Sequence, residues 1–275
     1  MYDRPPRDSR INPWQQATPK AAEAPAFDRR AQRQREVRIF GVAACAAVAD
    51  DRFEAIRKVY VNRARAKSFG DLLARLAASR VGYNLIEDAD LERLTASQHH
   101  EGIALDIERK AQPSLATLKV AWQSAPRAVA LALVGVGNPH NVGAILRSAV
   151  HFGASAVLMQ RAHAVNLSGA VYRVAEGAAE RIAVATFDDI GELRIADMPL
   201  LATTTSGERS LFSDALPPKA IVLIGAEGPG LPADVAALAH ARLTIPGTGR
   251  VDSLNVAQAA TLVLAEWWRS GSRRP

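Results

Sequence analysis

Apolar residues recur along this chain in two rhythms, and their order predicts strands alternating with helices. Short apolar runs at 37–42, 56–62, 83–86 and 102–107 read as strands. Between them, 43–51, 69–80 and 89–95 read as helices, the second carrying Phe69, Leu72, Leu73 and Leu76 at helical spacing. These elements predict a small α/β unit over residues 37–110. Further on, strands are predicted at 128–136, 156–159, 200–204, 221–224 and 243–245, with helices at 141–152, 188–195, 232–239 and 254–269. Strands that alternate with helices imply a parallel sheet. Residues 111–127, with Pro113 and Pro126, read as a linker. Residues 1–36 are rich in Arg, Pro, Gln and Ala without a hydrophobic period, and read as a disordered basic arm. The expected organisation is therefore an arm (1–36), a small α/β domain (37–110), a linker (111–127) and a larger α/β domain (128–275).

Composition narrows the partner more than the fold. The 275 residues include 34 Lys and Arg against 28 Asp and Glu, a formal charge of +6. That balance favours an acidic partner, nucleic acid above all, with an inert basic surface as the bland alternative. Arg29, Arg30, Arg33 and Arg35 of the arm either add phosphate contacts or belong to a solvated tail without a role. The single cysteine, Cys45, excludes an internal disulfide and reads as a small core residue in its alanine-rich run. No run approaches the ~18 apolar residues of a membrane span, and no apolar signal region opens the chain. No membrane partner and a cytoplasmic location are expected.

Chemistry concentrates in three loops. The apolar run 128–136 feeds Asn138-Pro139-His140-Asn141-Val142-Gly143-Ala144-Ile145-Leu146-Arg147-Ser148-Ala149, which opens a helix with Asn138 or Asn141 as cap. Such a turn aims backbone N–H groups at an anion or cofactor. Arg147 lies about 1.7 turns beyond Asn141, and a long side chain reaching back would let both point into one crevice. Gly135-Val136-Gly137-Asn138-Pro139-His140 begins like a dinucleotide fingerprint, but His140 takes the third glycine's place. The phosphate loop G-x-x-x-x-G-K-[ST] is absent from the sequence, which speaks against nucleotide hydrolysis. The second loop follows Ile221-Val222-Leu223-Ile224 as Gly225-Ala226-Glu227-Gly228-Pro229-Gly230-Leu231. The third is Ile245-Pro246-Gly247-Thr248-Gly249-Arg250-Val251-Asp252-Ser253-Leu254-Asn255-Val256. Their glycines let backbone approach a ligand closely or form tight turns.

These three segments, in this order over residues from about 128 to 270, resemble motifs 1, 2 and 3 of the SpoU (TrmH-like) family of RNA ribose 2′-O-methyltransferases, within the SPOUT superfamily. The resemblance implies an α/β knot, a deep trefoil in a parallel sheet, with motifs 2 and 3 building loops for S-adenosyl-L-methionine. It further implies RNA (tRNA or rRNA) as substrate, a homodimer that completes the site, and no metal. Carried over residue by residue, it marks Arg147, Asn141, Glu227, Ser253 and Asn255 as catalytic. Gly225, Ile245 and Leu254 become cofactor contacts, with Thr203 as an addition. A guanidinium pKa above about 12 makes Arg147 awkward as a literal base. Bidentate phosphate contact and stabilisation of a developing alkoxide suit it better, with a surface arginine paired to an acid as the alternative. Asn141 either orients the ribose or caps its helix. Glu227 holds the site together or relays a proton, with a salt bridge to Arg147 as the alternative. Ser253 and Asn255 cap the last helix or face substrate.

The region 37–110 resembles the ribosomal-protein-like substrate-binding domain of many family members, through Ile39-Phe40-Gly41-Val42 and His99-His100-Glu101-Gly102-Ile103-Ala104. Glu101 stands where the family has Gln. Two adjacent histidines without a third ligand at metal spacing read as a loop entering a strand rather than a metal site. Arg57, Lys58, Arg63, Arg65 and Lys67 are expected to meet RNA phosphates with Tyr60 stacking on a base, the alternative being a solvated basic face beside a core tyrosine. Arg173 belongs to a further family-like segment, Tyr172-Arg173-Val174-Ala175-Glu176-Gly177-Ala178, and is expected to contact RNA or a partner subunit. There Ala175 replaces the usual Ser, and Gly247 replaces a common Met in motif 3. The last helix carries an apolar surface wider than one core-facing stripe, fitting a subunit interface or burial within one chain. Two rivals stand beside the methyltransferase reading: an RNA-binding assembly protein without turnover, and a SPOUT enzyme acting on a base.

Overall fold

The structure, a computed structural model, describes residues 35–272. The expected arm lies outside the described residues except for its last two, and Glu36 already opens the first strand. The first region runs β1 (Glu36–Phe40), α1 (Val42–Asp51), β2 (Ile56–Val61), α2 (Arg63–Ser68), α3 (Gly70–Ala78), β3 (Tyr83–Leu85), α4 (Asp88–Thr95) and β4 (Ile103–Glu108). Its sheet has the order β1-β4-β2-β3, antiparallel except for the β2/β3 pair. Strand alternation gives this sheet two buried faces. Ile39, Val59, Val61, Ile103 and Leu105 pack with Cys45 and Val48 of α1 and with Leu72 and Leu76 of α3. Phe40, Tyr60 and Ala104 point the other way, under Leu91 of α4. Burial pushes the Cys45 thiol pKa up, as suits a core cysteine.

Residues 63–68, between the predicted strand at 56–62 and the predicted helix at 69–80, form helix α2, capped by Asn62, whose side chain accepts from the Arg65 amide at 2.7 Å. The following helix starts at Gly70 rather than Phe69 and ends at Ala78.

The second region runs α5 (Leu115–Ser124), β5 (Ala128–Val134), α6 (Pro139–His151), β6 (Ala156–Gln160), α7 (Gly169–Ala175), α8 (Ala178–Arg181), β7 (Ala183–Phe187), β8 (Leu200–Thr203), β9 (Arg209–Ser210), β10 (Lys219–Gly225), α9 (Ala233–Ala237), β11 (Ala241–Thr244) and α10 (Val256–Ser272). All seven strands pair in parallel, in the order β7-β6-β5-β10-β8-β11-β9. Every residue of β5 is buried. Val129, Leu131 and Leu133 face α6 and α10, while Ala128, Ala130 and Ala132 leave room on the opposite face for Leu115, Leu118 and Trp122.

That small-residue face explains why the expected linker is instead largely helix. Leu115, Leu118 and Trp122 recur at i, i+3 and i+7, Ser114 caps the helix by accepting from the Thr117 amide at 3.1 Å, and Pro126 lies two residues past its end. Ser114→Ala should cost about 1 kcal/mol, seen as a lower urea midpoint at unchanged slope. Strand β7 and helices α7 and α8 lie where the sequence pattern predicts no element. The helix expected at 188–195 is a short 3₁₀ turn, Ile190–Leu193, closed by a capping box between Asp189 and Glu192.

Most of the apolar surface of α10 is used within the subunit: Val256, Ala260, Val263, Leu264 and Trp267 are buried. Arg127 lies 4.3 Å from the Trp267 ring, and the indole donates to the Pro218 carbonyl at 3.3 Å. Leu254 and Trp268 remain exposed.

The two regions share one apolar core. A polar node closes their junction. The Glu180 side chain has no solvent exposure, takes Arg52 at 2.8 Å and accepts from the Tyr172 hydroxyl at 2.8 Å. Lys110 donates to the Glu180 carbonyl at 2.5 Å, and Arg181 pairs with Asp51 at 2.7 Å. Burial, and then the Glu180 charge, push the Tyr172 hydroxyl pKa up, so it stays a donor.

Candidate active site

The loops singled out by sequence leave the carboxyl ends of four neighbouring strands. Motif 1 follows β5, motif 2 follows β10, Thr203 ends β8, and motif 3 follows β11. These strands lie side by side, with Gly225 opposite Val134 and Leu243 opposite Thr203. In parallel sheets this edge is where ligands bind.

Asn138 caps α6, its side chain accepting from the His140 amide at 2.9 Å, with Pro139 in the first turn. Asn141 is therefore free of capping. Its amide nitrogen donates to Glu227 Oε2 at 3.1 Å, and its carbonyl oxygen accepts from Asn255 Nδ2 at 3.2 Å. Asn255 in turn accepts from the Ala257 amide at 2.9 Å, capping α10. One chain of hydrogen bonds thus ties motif 2, motif 1 and motif 3 together. Glu227 pairs with Asn141 and not with Arg147, and Ser253 is exposed in the loop and does not cap.

Arg147 stands apart from this group. Asn141 and Ser148 turn toward α10, where Ser148 and Thr261 share a hydrogen bond of 2.7 Å. Gly143 turns toward α7, so closely that a Cβ there would lie 2.7 Å from Val174 Cβ. Arg147, one turn beyond Gly143, follows that second face and pairs with Glu176 Oε1 at 2.8 Å. The expected single crevice is not formed within one subunit, because six residues of helix leave the two side chains about 120° apart, each with its own partners. Glu176 is the site-adjacent residue that the sequence reading missed. Its only signal was an acid immediately before Gly177.

The cofactor side is built from backbone. A Cβ on Gly225 would sit 2.2 Å from the Gly230 carbonyl carbon and 2.3 Å from the Leu231 nitrogen. The 226–230 loop therefore folds tightly over the end of β10, helped by positive φ at Gly228 and Gly230 and a Gly230-to-Ala226 backbone bond of 3.0 Å. Thr203 Oγ1 donates to the Leu223 carbonyl at 3.0 Å. Its neighbour Thr204 carries a buried hydroxyl without a hydrogen-bond partner among the described residues. Ile245 is half-buried against the core and Leu254 is exposed. A close backbone cradle beside an orphaned hydroxyl and an open apolar side chain fits a ligand with both polar and apolar parts. Gly225→Ala should displace this loop and weaken binding of the methyl donor that the resemblance implies about tenfold, on the order of 1.4 kcal/mol, by calorimetric titration. Unchanged affinity would show that the loop does not shape the cradle.

The basic residues of the first region are more engaged than expected. Arg57 pairs with Glu108 and donates to the Glu54 carbonyl at 2.8 Å. Tyr60 is buried under α4 and donates to Asp106 at 3.0 Å, with Arg38 5.0 Å and Lys58 5.1 Å from its ring. It is a core tyrosine, unavailable for base stacking. Arg65 donates to the Glu101 carbonyl at 3.0 Å. Arg173 pairs with Glu101 at 2.7 Å and donates to the His99 carbonyl at 3.1 Å. Lys58, Arg63 and Lys67 are exposed. His100 is buried, its Nδ1 accepting from the Gly102 amide at 3.1 Å.

A parallel α/β sheet with glycine loops and a joined polar group at its carboxyl edge defines a ligand-binding α/β protein of the open-sheet class. The sequence profile of the SpoU rRNA methylase family matches residues 128–265, and that of the RNA 2′-O ribose methyltransferase substrate-binding domain matches residues 38–113. The chain belongs to the SpoU family of RNA methyltransferases.

Among its relatives is an uncharacterized tRNA/rRNA methyltransferase, YfiF, of Escherichia coli O157:H7. It is 34% identical over 246 residues, covering 87% of this chain and 70% of that protein. A 23S rRNA (guanosine-2′-O-)-methyltransferase, RlmB, of a Burkholderia species is 32% identical, covering 80% of this chain and 90% of the relative. The chain spans 64% of the length of a Mycobacterium avium tRNA/rRNA methyltransferase with 32% identity. Among solved structures, the SpoU methyltransferase AviRb of Streptomyces viridochromogenes with AdoMet shares the fold. Its TM-score is 0.72 at 22% identity, over 90% of this chain and 96% of that one.

Proposed function

We propose that this protein transfers the methyl group of S-adenosylmethionine to a ribose 2′-OH of tRNA or rRNA. The hydrogen-bonded chain Glu227–Asn141–Asn255 carries this reading, because it ties the three family motifs into one site at the edge of the sheet. The relatives' names support the reaction, and RlmB is named for 2′-O-methylation of guanosine in 23S rRNA. The bound cofactor supplies a sulfonium methyl, an electrophile that needs no metal. The chain's own task is to hold the donor and to place the hydroxyl in line.

Gly225, Ile245 and Leu254 line the donor side, with Thr203 and Thr204 beneath. Asn141 and Asn255 orient the ribose, Glu227 fixes Asn141, and Ser253 offers an exposed hydroxyl toward the substrate. Arg147 holds an RNA phosphate and stabilises the negative charge that develops on the 2′-oxygen as its proton leaves. The separation of Arg147 from the Asn141 group supports a homodimer in which the two halves come from different subunits. Exposed Leu254 and Trp268 offer apolar surface for it. The second region is taken to carry the family's deep trefoil knot. Residues 37–110 act as a ribosomal-protein-like RNA-binding domain, with Lys58, Arg63 and Lys67 open to phosphate and Arg57, Arg65 and Arg173 at its polar margins. A cytoplasmic enzyme is the matching location.

The test is RNA from a strain lacking the gene, incubated with the protein and methyl-labelled donor. Label in nuclease-resistant dinucleotides is the expected result. Label confined to bases would indicate a base methyltransferase, and absence of label an assembly protein.

A further inference from the structure

Glu176 sits where an acid is disfavoured on three counts. Its backbone has φ +47, a left-handed conformation that side chains other than glycine and asparagine seldom adopt. It caps the C-terminus of α7, where the helix dipole opposes negative charge. It also lies beside Arg147, on a surface that by the reading above must accept a polyanion. Its ion pair with Arg147 does little for the fold, because both side chains are substantially open to water, 58% and 39% exposed. A residue held in strained backbone for a weak contact points to function.

We propose that Glu176 is a positioning residue for Arg147. Its carboxylate restrains the long side chain on the α7 face of α6 and fixes the guanidinium plane that meets the phosphate and the reacting 2′-oxygen. Gly143 makes this reach workable, since its missing side chain lets α7 close onto α6. Glu176 touches neither RNA nor cofactor and acts through Arg147 alone. The proposal rests on the 2′-O-methyltransferase reading given above.

The experiment compares wild type, Glu176→Gln and Glu176→Gly, using an in vitro 23S rRNA transcript as probe. Glu176→Gln should lower kcat about tenfold while its affinity for the transcript stays equal or rises, since a negative charge has left the RNA-facing surface. Glu176→Gly should also lose turnover, yet melt at the same or a higher temperature, because glycine suits the left-handed backbone. A purely structural role predicts that melting temperature and turnover fall together, and a direct RNA contact predicts weakened binding. Either result, or unchanged kcat, overturns the proposal. Should wild type transfer no label, the 2′-O-methyltransferase reading falls for this transcript. The positioning claim is then read from the hindered rotation of the Arg147 guanidinium by NMR. Restriction in wild type that is lost in Glu176→Gln upholds it, and equal mobility in both rejects it.

Discussion

Arg147→Ala should reduce methyl transfer about 10²- to 10³-fold, the range seen when one preorganised donor to a developing oxyanion is removed. The variant should fold normally, because the Arg147 side chain is 58% exposed and anchors no core contact. Its affinity for S-adenosylmethionine should match wild type, since Arg147 pairs with Glu176 and not with the loop that closes over Gly225. RNA affinity should fall modestly, by the loss of one phosphate contact, with a shallower dependence on salt. Arg147→Lys should also be poor, because an ammonium cannot reproduce the planar two-point contact of a guanidinium. Single-turnover rates with saturating donor check all of this. Turnover within threefold of wild type would remove Arg147 from the chemistry.

The largest effect on stability is expected at Glu180. Its carboxylate is fully buried with Arg52 and the Tyr172 hydroxyl as partners, so Glu180→Ala leaves an uncompensated cation and an unpaired hydroxyl. Breaking such a pair costs about 3 kcal/mol, the lower end of the buried range because Arg52 is 21% exposed and regains some water. Urea unfolding should show the loss as a lower midpoint. The combination Arg52→Met with Glu180→Gln removes both charges and keeps an acceptor for Tyr172, so it should recover most of that loss. Additive losses in the double variant would mean the pair is not coupled.

The sequence carried the sheet and the loops well, and the reasons are physical. A strand buried on both faces must be apolar throughout, and 128–134 is. A loop that presses backbone against backbone demands glycine, and Gly225 is one. Less legible was anything that depends on which neighbour a face meets. Residues 111–127 read as a linker because two prolines outweighed the spacing of Leu115, Leu118 and Trp122, whose partner surface of alanines lies on a different element. Both options for Tyr60 were open in the sequence, and only the placement of α4 closes the stacking one. Asn141 and Arg147 sit close along the chain, yet α10 and α7 claim different sides of the helix between them. No spacing rule reveals that Arg147 would find its acid on α7.

Helix α5 and the Glu180 node change what kind of instrument this chain is. A tethered RNA-gripping module would sample many distances to the reacting groups and tolerate many target geometries. Here Lys110 is bonded to the Glu180 and Ile182 carbonyls, α5 is packed onto β5, and the cores of both regions merge. On the function proposed above the protein would be a caliper with a fixed jaw: its span is set at folding, so the choice of nucleotide would become a matter of measured length on the RNA.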